Sequence, residues 1–277
     1  MSTPQVNQGL LAIKPSPIRS FNDQISKIEG LIPLTIGEPD FPTPDFIKEA
    51  AIEAIRQDLN GYTHSRGLLA LRQAISEFLE RHYELHYSPE EEIIVTVGAT
   101  EALFASLVGL LNPGQKVIVP APNYVIIRHD VSHSHFKLEA EELKAQLESH
   151  PEIKILLLNH PCNPTGVTYS REELEALANV ARQYNLMIVS DEIYSELTYS
   201  DKHVSMAELA PERTILINGT SKFYAMTGWR SCFIAGPKDY LSQIFKVHQA
   251  TVNTPPSVSQ YGSIAAYHSG DDSIHEM

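Results

Sequence analysis

The sequence predicts an α/β protein whose mostly parallel sheet is sandwiched by helices. Three observations carry that prediction. The segments ILLLN (155–159), LMIVS (186–190) and TILIN (214–218) are continuous apolar runs rather than alternating ones, as in strands covered on both faces. From Pro44 onwards such runs alternate with helical stretches, an order that joins parallel strands through right-handed crossovers. The chain has 277 residues, 43% of them hydrophobic and 20% charged, enough to bury a large core.

Residues 1–44 read as an N-terminal arm. Pro4, Pro15, Pro17, Pro33, Pro39, Pro42 and Pro44 predict that it is largely extended. Residues 45–277 read as one large domain. Asp45 is expected to cap a helix through Asp58, and Gly67 to lead into a second through Tyr83. A strand Glu92–Val97, a helix Thr100–Leu111 and a strand Lys116–Pro120 follow. Next come a helix Glu139–Glu148, a strand Ile153–Asn159, a helix Ser170–Tyr184 and a strand Leu186–Ser190. The strands Thr214–Asn218 and Ser231–Ala235 precede helices around Tyr240–Ala250 and Ser257–His268.

The balance of 21 Lys+Arg against 34 Asp+Glu gives a net charge of −13. That works against nucleic acid or an anionic membrane as the main partner, since both require a basic face. Cys162 and Cys232 read as free, buried thiols rather than a bridge. The first residues lack the charged start and apolar core of a signal peptide, and no apolar run approaches a membrane span. A cytoplasmic protein is the expectation.

In sheets of this kind ligands collect beyond the carboxyl ends of the strands, and the unusual residues lie there. Strand Glu92–Val97 runs into Gly98-Ala99-Thr100 and a helix. Small residues and free helix N–H groups make that turn a phosphate cradle; alone it reads equally as a turn with a threonine cap. Strand Ile153–Asn159 ends in His160-Pro161-Cys162-Asn163-Pro164-Thr165-Gly166, a rigid loop that fixes the Asn163 amide. Strand Leu186–Ser190 delivers Asp191, with Glu192 and Tyr194 beyond it. A strand-end carboxylate is costly unless it meets a cation, such as a protonated ring nitrogen. Strand Thr214–Asn218 leads to Ser221-Lys222, with Arg230 after it; desolvation or a neighbouring cation would make Lys222 a nucleophilic amine. Taken singly, the carboxylate reads as a cap or ion pair and the lysine as a solvated side chain.

The joint order is more specific than its parts. The segments IGEPDFPTP (36–44), NGYTHSRG (60–67), TVGATEAL (96–103), NHPCNPTG (159–166), SDEIYSEL (190–197) and SKFYAMTGWR (221–230) together resemble class I/II aminotransferases of the aspartate aminotransferase superfamily, pyridoxal-phosphate (PLP) fold type I. The likeness spans nearly the whole chain. It implies pyridoxal 5'-phosphate as cofactor and an amino acid and a 2-oxo acid as substrates, with no metal. By that resemblance the catalytic residues are Lys222, Asp191 and Tyr194. Lys222 would hold the cofactor as a Schiff base and shuttle the proton, and Asp191 would pair with the ring nitrogen. Asn163 and Tyr194 would bond the phenolic oxygen. Gly98, Ala99, Thr100, Ser221 and Arg230 would take the phosphate, the arginine bidentately. Tyr124 would stack on the ring, and Tyr62 would reach a neighbour's phosphate across a homodimer. Gly37 and Asn163 would meet the substrate.

Elimination by a PLP-dependent C–S lyase of the same fold is the alternative, or a truncated, inactive homologue. Two departures from the family pattern are noted. The segment between Tyr124 and Phe136 is shorter than usual, and the chain stops at Met277, ahead of a small domain that carries the arginine for the substrate carboxylate. The expectation is therefore that the C-terminal small domain is absent or incomplete and that this chain alone is not a competent transaminase.

Overall fold

A computed structural model describes residues 11, 17–32, 37–121, 129–130, 134–199 and 202–277. The chain divides into two compact units, Met1–Pro39 and Asp40–Met277. Within the first, helix α1 (Pro17–Ile25) interrupts the extended arm expected from its prolines. The correction has a physical reason. Proline is compatible with the first helical position, where its missing N–H is an orphan in any case, and Pro17 takes that place.

The second unit holds helices α2 (Asp45–Arg56) and α3 (Leu69–Tyr83), strand β1 (Ile93–Thr96) and helix α4 (Gly98–Leu110). Strands β2 (Lys116–Ile118), β3 (Pro120–Ala121) and β4 (His129–Asp130) follow, then helix α5 (Ala140–Ser149), β5 (Ile153–Asn159) and α6 (Arg171–Gln183). Strand β6 (Met187–Asp191), helix α7 (Met206–Leu209) and strands β7 (Thr214–Gly219) and β8 (Cys232–Ala235) lead to helices α8 (Lys238–Thr251), α9 (Ser257–Ser269) and α10 (Asp271–Glu276). Six strands form one sheet in the order β1-β8-β7-β6-β5-β2. The β2–β5–β6–β7 run is parallel, whereas β8 lies antiparallel between β7 and β1.

Two local expectations change. Asp45 does not cap its helix: Pro44 occupies the cap position without a side-chain bond, and Asp45 pairs instead with Lys48 in the first turn. The helix stops at Arg56 because Asp58 is left-handed, with φ 56°. The expected strand Lys116–Pro120 splits into β2 and β3, which pair in different sheets; a proline has no N–H to continue the ladder. The boundaries of β5 agree with expectation, and α6 starts at a capping box in which Ser170 and Glu173 bond each other's backbone N–H.

Alternate residues of the strands enter separate cores, which is why the apolar runs are continuous. Leu156 and Leu158 of β5 pack with Leu143, Leu147, Leu174 and Leu177 of α5 and α6. Ile155 and Leu157 point the other way, into a core with Ala102 and Leu103 of α4 and Leu241 and Ile244 of α8. A third cluster joins Ile93, Val95, Leu216 and Phe233 to α3 and α9 through Phe78 and Tyr267. Each such side chain contributes about 1.5–3 kcal/mol of burial. Among the described residues no helix is long and apolar enough to cross a membrane.

Candidate active site

The carboxyl ends of β5, β6 and β7 are in register: Asn159 is opposite Asp191, and Asp191 opposite Ile217. Asn159 Nδ2 donates to the Asp191 carbonyl at 3.0 Å, and the His160 N–H to the same oxygen at 3.1 Å. The Asn159 side-chain oxygen accepts the Asn163 N–H at 2.8 Å. Loop 160–167 is closed further by the Gly166 N–H on the Cys162 carbonyl at 2.7 Å. The loop thereby presents the Asn163 amide, whose Nδ2 donates to Tyr194 Oη at 3.2 Å.

Lys222 follows β7 in a tight turn held by Tyr224 N–H on the Thr220 carbonyl and Met226 N–H on the Ser221 carbonyl. Its Nζ lies 5.3 Å from the centroid of the Tyr194 ring. Burial pushes the Asp191 carboxyl from 3.8 up to about 7 and the Glu192 charge adds to this, while the Ile193 N–H and the positive charge of Lys222 oppose it. A carboxylate disfavoured in this way is matched to a cationic partner with an N–H.

Lys222 and Arg230 sit on one chain reversal between β7 and β8. It is closed where Thr220 donates to the Ser231 carbonyl twice, from N at 3.2 Å and from Oγ1 at 3.0 Å. Arg230 is left-handed, with φ 56°, following a 3-10 turn, Thr227–Trp229. Gly262 of α9 packs under that turn; a methyl group there would lie 2.6 Å from Trp229 Cζ3. Arg230 Nη1 donates to the Thr227 carbonyl at 3.1 Å and Nη2 to the Val97 carbonyl at 3.5 Å. Its guanidinium covers Gly98, where φ is +78° and a methyl group would sit 2.5 Å from Arg230 Cζ. Glycine is thus required twice, by backbone and by close approach. Ser221 is buried with Oγ 3.5 Å from Cys232 Sγ, a thiol that burial pushes up to about 11. Ala99 bonds the same thiol through its backbone, and Thr100 is exposed at the start of α4.

The structure therefore brings together Lys222, Asp191, Tyr194 and Asn163 at the strand ends, and Gly98, Ala99, Ser221 and Arg230 around the start of α4. Tyr62 is 90% exposed. Gly37 is exposed in the first unit, and Tyr124 lies outside the described residues. These residues fit a pyridoxal phosphate: a glycine floor and a guanidinium for the phosphate, a carboxyl that burial holds half-neutral for the ring nitrogen, and an amine.

Sequence reasoning passed over the layer behind Asp191. Glu192 is buried and its oxygens accept His203 Nε2 at 2.8 Å, Ser190 Oγ at 2.7 Å, Ser205 Oγ at 3.1 Å and the Met206 N–H at 3.0 Å. Burial opposes its ionisation, yet the His203 charge and these bonds hold the carboxyl below its ordinary value. The His160 ring is tilted by 31° against that of His203, with centroids 4.5 Å apart, and burial lowers its imidazole to about 4. His160, Glu192 and His203 form a buried cluster whose ligand atoms lie within 4.8 Å of one another. A separate cavity of about 550 Å³ lies between His82, Glu196, Tyr199 and the last helix and shares no wall residue with the strand-end constellation.

Residues 29–277 match the profile of aminotransferase class I and II. The chain is 38% identical to the aspartate aminotransferase of Geobacillus stearothermophilus over 287 residues, covering 96% of this chain and 72% of that protein. It is 36% identical to the aspartate/prephenate aminotransferase of Thermus thermophilus, covering 92% and 70%. Among solved structures, a Thermus thermophilus aspartate aminotransferase with maleate superposes with a TM-score of 0.92 at 34% identity, over 99% of this chain and 75% of that one. An aromatic aminotransferase from Pyrococcus horikoshii superposes with a TM-score of 0.84 at 34% identity, over 92% and 73%. With its profile match and these relatives, the chain belongs to the class I and II aminotransferases, pyridoxal-phosphate enzymes that move an amino group between an amino acid and a 2-oxo acid.

Proposed function

We propose that Lys222 holds the cofactor covalently through Nζ and that Asp191, Asn163, Tyr194, Arg230 and the Gly98–Thr100 turn orient it. When bound, pyridoxal phosphate supplies an electron sink for the carbanion left when the substrate Cα loses its proton. Asp191 holds a proton on the ring nitrogen, and a charge-assisted bond of that kind contributes roughly 1.5–3 kcal/mol. Once the incoming substrate amine displaces it, Lys222 Nζ would be the base that carries the proton between the substrate Cα and the cofactor carbon C4′. Tyr194 Oη accepts the Asn163 amide, which orients its hydroxyl proton away from Asn163 and towards the cofactor's phenolic oxygen. Arg230 and Ser221 anchor the phosphate, with Gly98 leaving room for it. Tyr124 and Gly37 are assigned by the family resemblance alone, to the ring face and to the substrate.

The observation that carries this reading is the end of β6 at Asp191 in register with the end of β7, which Lys222 follows in the next turn. Exposed Tyr62, on a loop fixed by Thr63 to Thr254 at 2.6 Å, supports a homodimer in which it reaches the neighbouring site. The net acidic charge and the low cysteine content support a cytoplasmic setting. Borohydride reduction followed by peptide mapping tests the central assignment: the pyridoxyl label belongs on Lys222. Its appearance on Lys202 or Lys238 would overturn it.

A further inference from the structure

His248 of α8 lies outside the strand-end constellation and is fully buried. Its Nδ1 is 3.1 Å from Glu101 Oε1, and its Nε2 is 2.8 Å from the Ser65 carbonyl oxygen. A carboxylate and a carbonyl can only accept, so both bonds form when each ring nitrogen carries a hydrogen. With Glu101 and the Ser65 carbonyl both as acceptors, the doubly donating ring is the cationic member of the pair.

Glu101 is the link to the turn before α4. Its Oε2 accepts the Val97 N–H at 3.1 Å, and the Val97 carbonyl takes Arg230 Nη2 at 3.5 Å. A chain of bonds thus runs from Ser65 through His248, Glu101 and Val97 to Arg230. A carboxylate in the first turn of α4 complements the helix dipole but repels any dianion seated at the same turn, more strongly where water is scarce. Arg66 lies 4.5 Å over the Phe245 ring, whose other neighbour is the His248 ring with centroids 6.2 Å apart.

We propose that His248, as a buried imidazolium, is a positioning residue of the phosphate seat: it fixes the Thr96–Val97 peptide, just ahead of Gly98, through Glu101 and cancels the Glu101 charge. This rests on reading the Gly98–Arg230 turn as that seat.

Nitrogen-15 NMR of histidine-labelled holoenzyme should show both His248 ring nitrogens protonated at neutral pH; one unprotonated nitrogen overturns the proposal. Cofactor-stripped His248→Phe keeps a ring of similar volume but leaves Glu101 uncompensated. Its affinity for inorganic phosphate and for pyridoxal phosphate should fall about tenfold, as for one lost charge-assisted bond, and its affinity for pyridoxal should change less than about twofold. The double variant His248→Phe/Glu101→Gln removes the charge while Gln still accepts the Val97 N–H. It should recover phosphate affinity to within about threefold of the unaltered protein. If His248→Phe does not fold, the double variant and the NMR measurement decide. Equal losses for pyridoxal and phosphate, no loss at all, or no recovery in the double variant would overturn the proposal. Arg230→Lys separates it from its premise: undiminished phosphate binding there refutes the phosphate seat itself.

Discussion

Replacing Asp191 by Asn in the cofactor-free protein should stabilise it at neutral and alkaline pH. Burial raises the folded carboxyl from 3.8 to about 7, so between those values the folded state keeps a proton that the unfolded chain has released. Unfolding free energy then falls as pH rises through that window and is level above it. A shift of about three units at about 1.4 kcal/mol each gives about 4 kcal/mol as an upper value; the partial exposure of the side chain screens the field and brings this to roughly 2 kcal/mol. Asn keeps the oxygen that accepts the Ile193 N–H and has no charge to bury. Urea unfolding of both proteins at pH 4, 6 and 8 measures the difference, which should grow with pH and reach roughly 2–4 kcal/mol at the top of the range. With cofactor bound the order reverses, because the carboxylate gains its cationic partner and the amide does not. A stability difference that is flat with pH, or an Asn variant no more stable at pH 8, would refute the reasoning.

Other outcomes follow from the same geometry. Gly98→Ala forces a side chain onto φ +78° and into the Arg230 guanidinium; it should lower apoprotein stability by about 1–2 kcal/mol and weaken pyridoxal phosphate binding at least about tenfold, read by thermal unfolding and fluorescence titration. Two defective proteins, Lys222→Ala and Tyr62→Ala, should partly restore covalent pyridoxal-phosphate binding when refolded together, and light scattering of the unaltered protein should report a dimer. Burial lowers the His82 imidazole, but the Glu196 and Asp271 carboxylates outweigh it and raise the net value. The stabilisation from His82 is therefore present below about pH 6.5 and lost as pH rises through the folded value; Glu196→Gln should reduce that loss, measured as the shift in urea midpoint between pH 6 and pH 8.5.

The apolar runs made β5, β6 and β7 legible because burial on both faces leaves no polar alternation to disguise a strand. The direction of β8 was not legible. CFIA is as apolar as its neighbours, and only the short reversal from Gly219 to Cys232, too brief for a crossover helix, distinguishes an antiparallel return. Helix α1 was hidden by the prolines that also begin it. At the site, Asp191 and Lys222 could be read from position after a strand, whereas Glu192 and His203 could not, since an eleven-residue gap carries no periodic signal for their 2.8 Å contact. Cys232 likewise reads as a strand residue until Ser221 is placed against it.

The single reversal that carries both Lys222 and Arg230 has a consequence for how such an enzyme can diverge. The span from amine to guanidinium lies within a short stretch that closes on itself at Thr220 and Ser231 and is braced from outside by Val97, Thr43 and Ser263. Mutagenic libraries aimed at new donor preferences should therefore hold residues 220–231 constant and spend their diversity elsewhere.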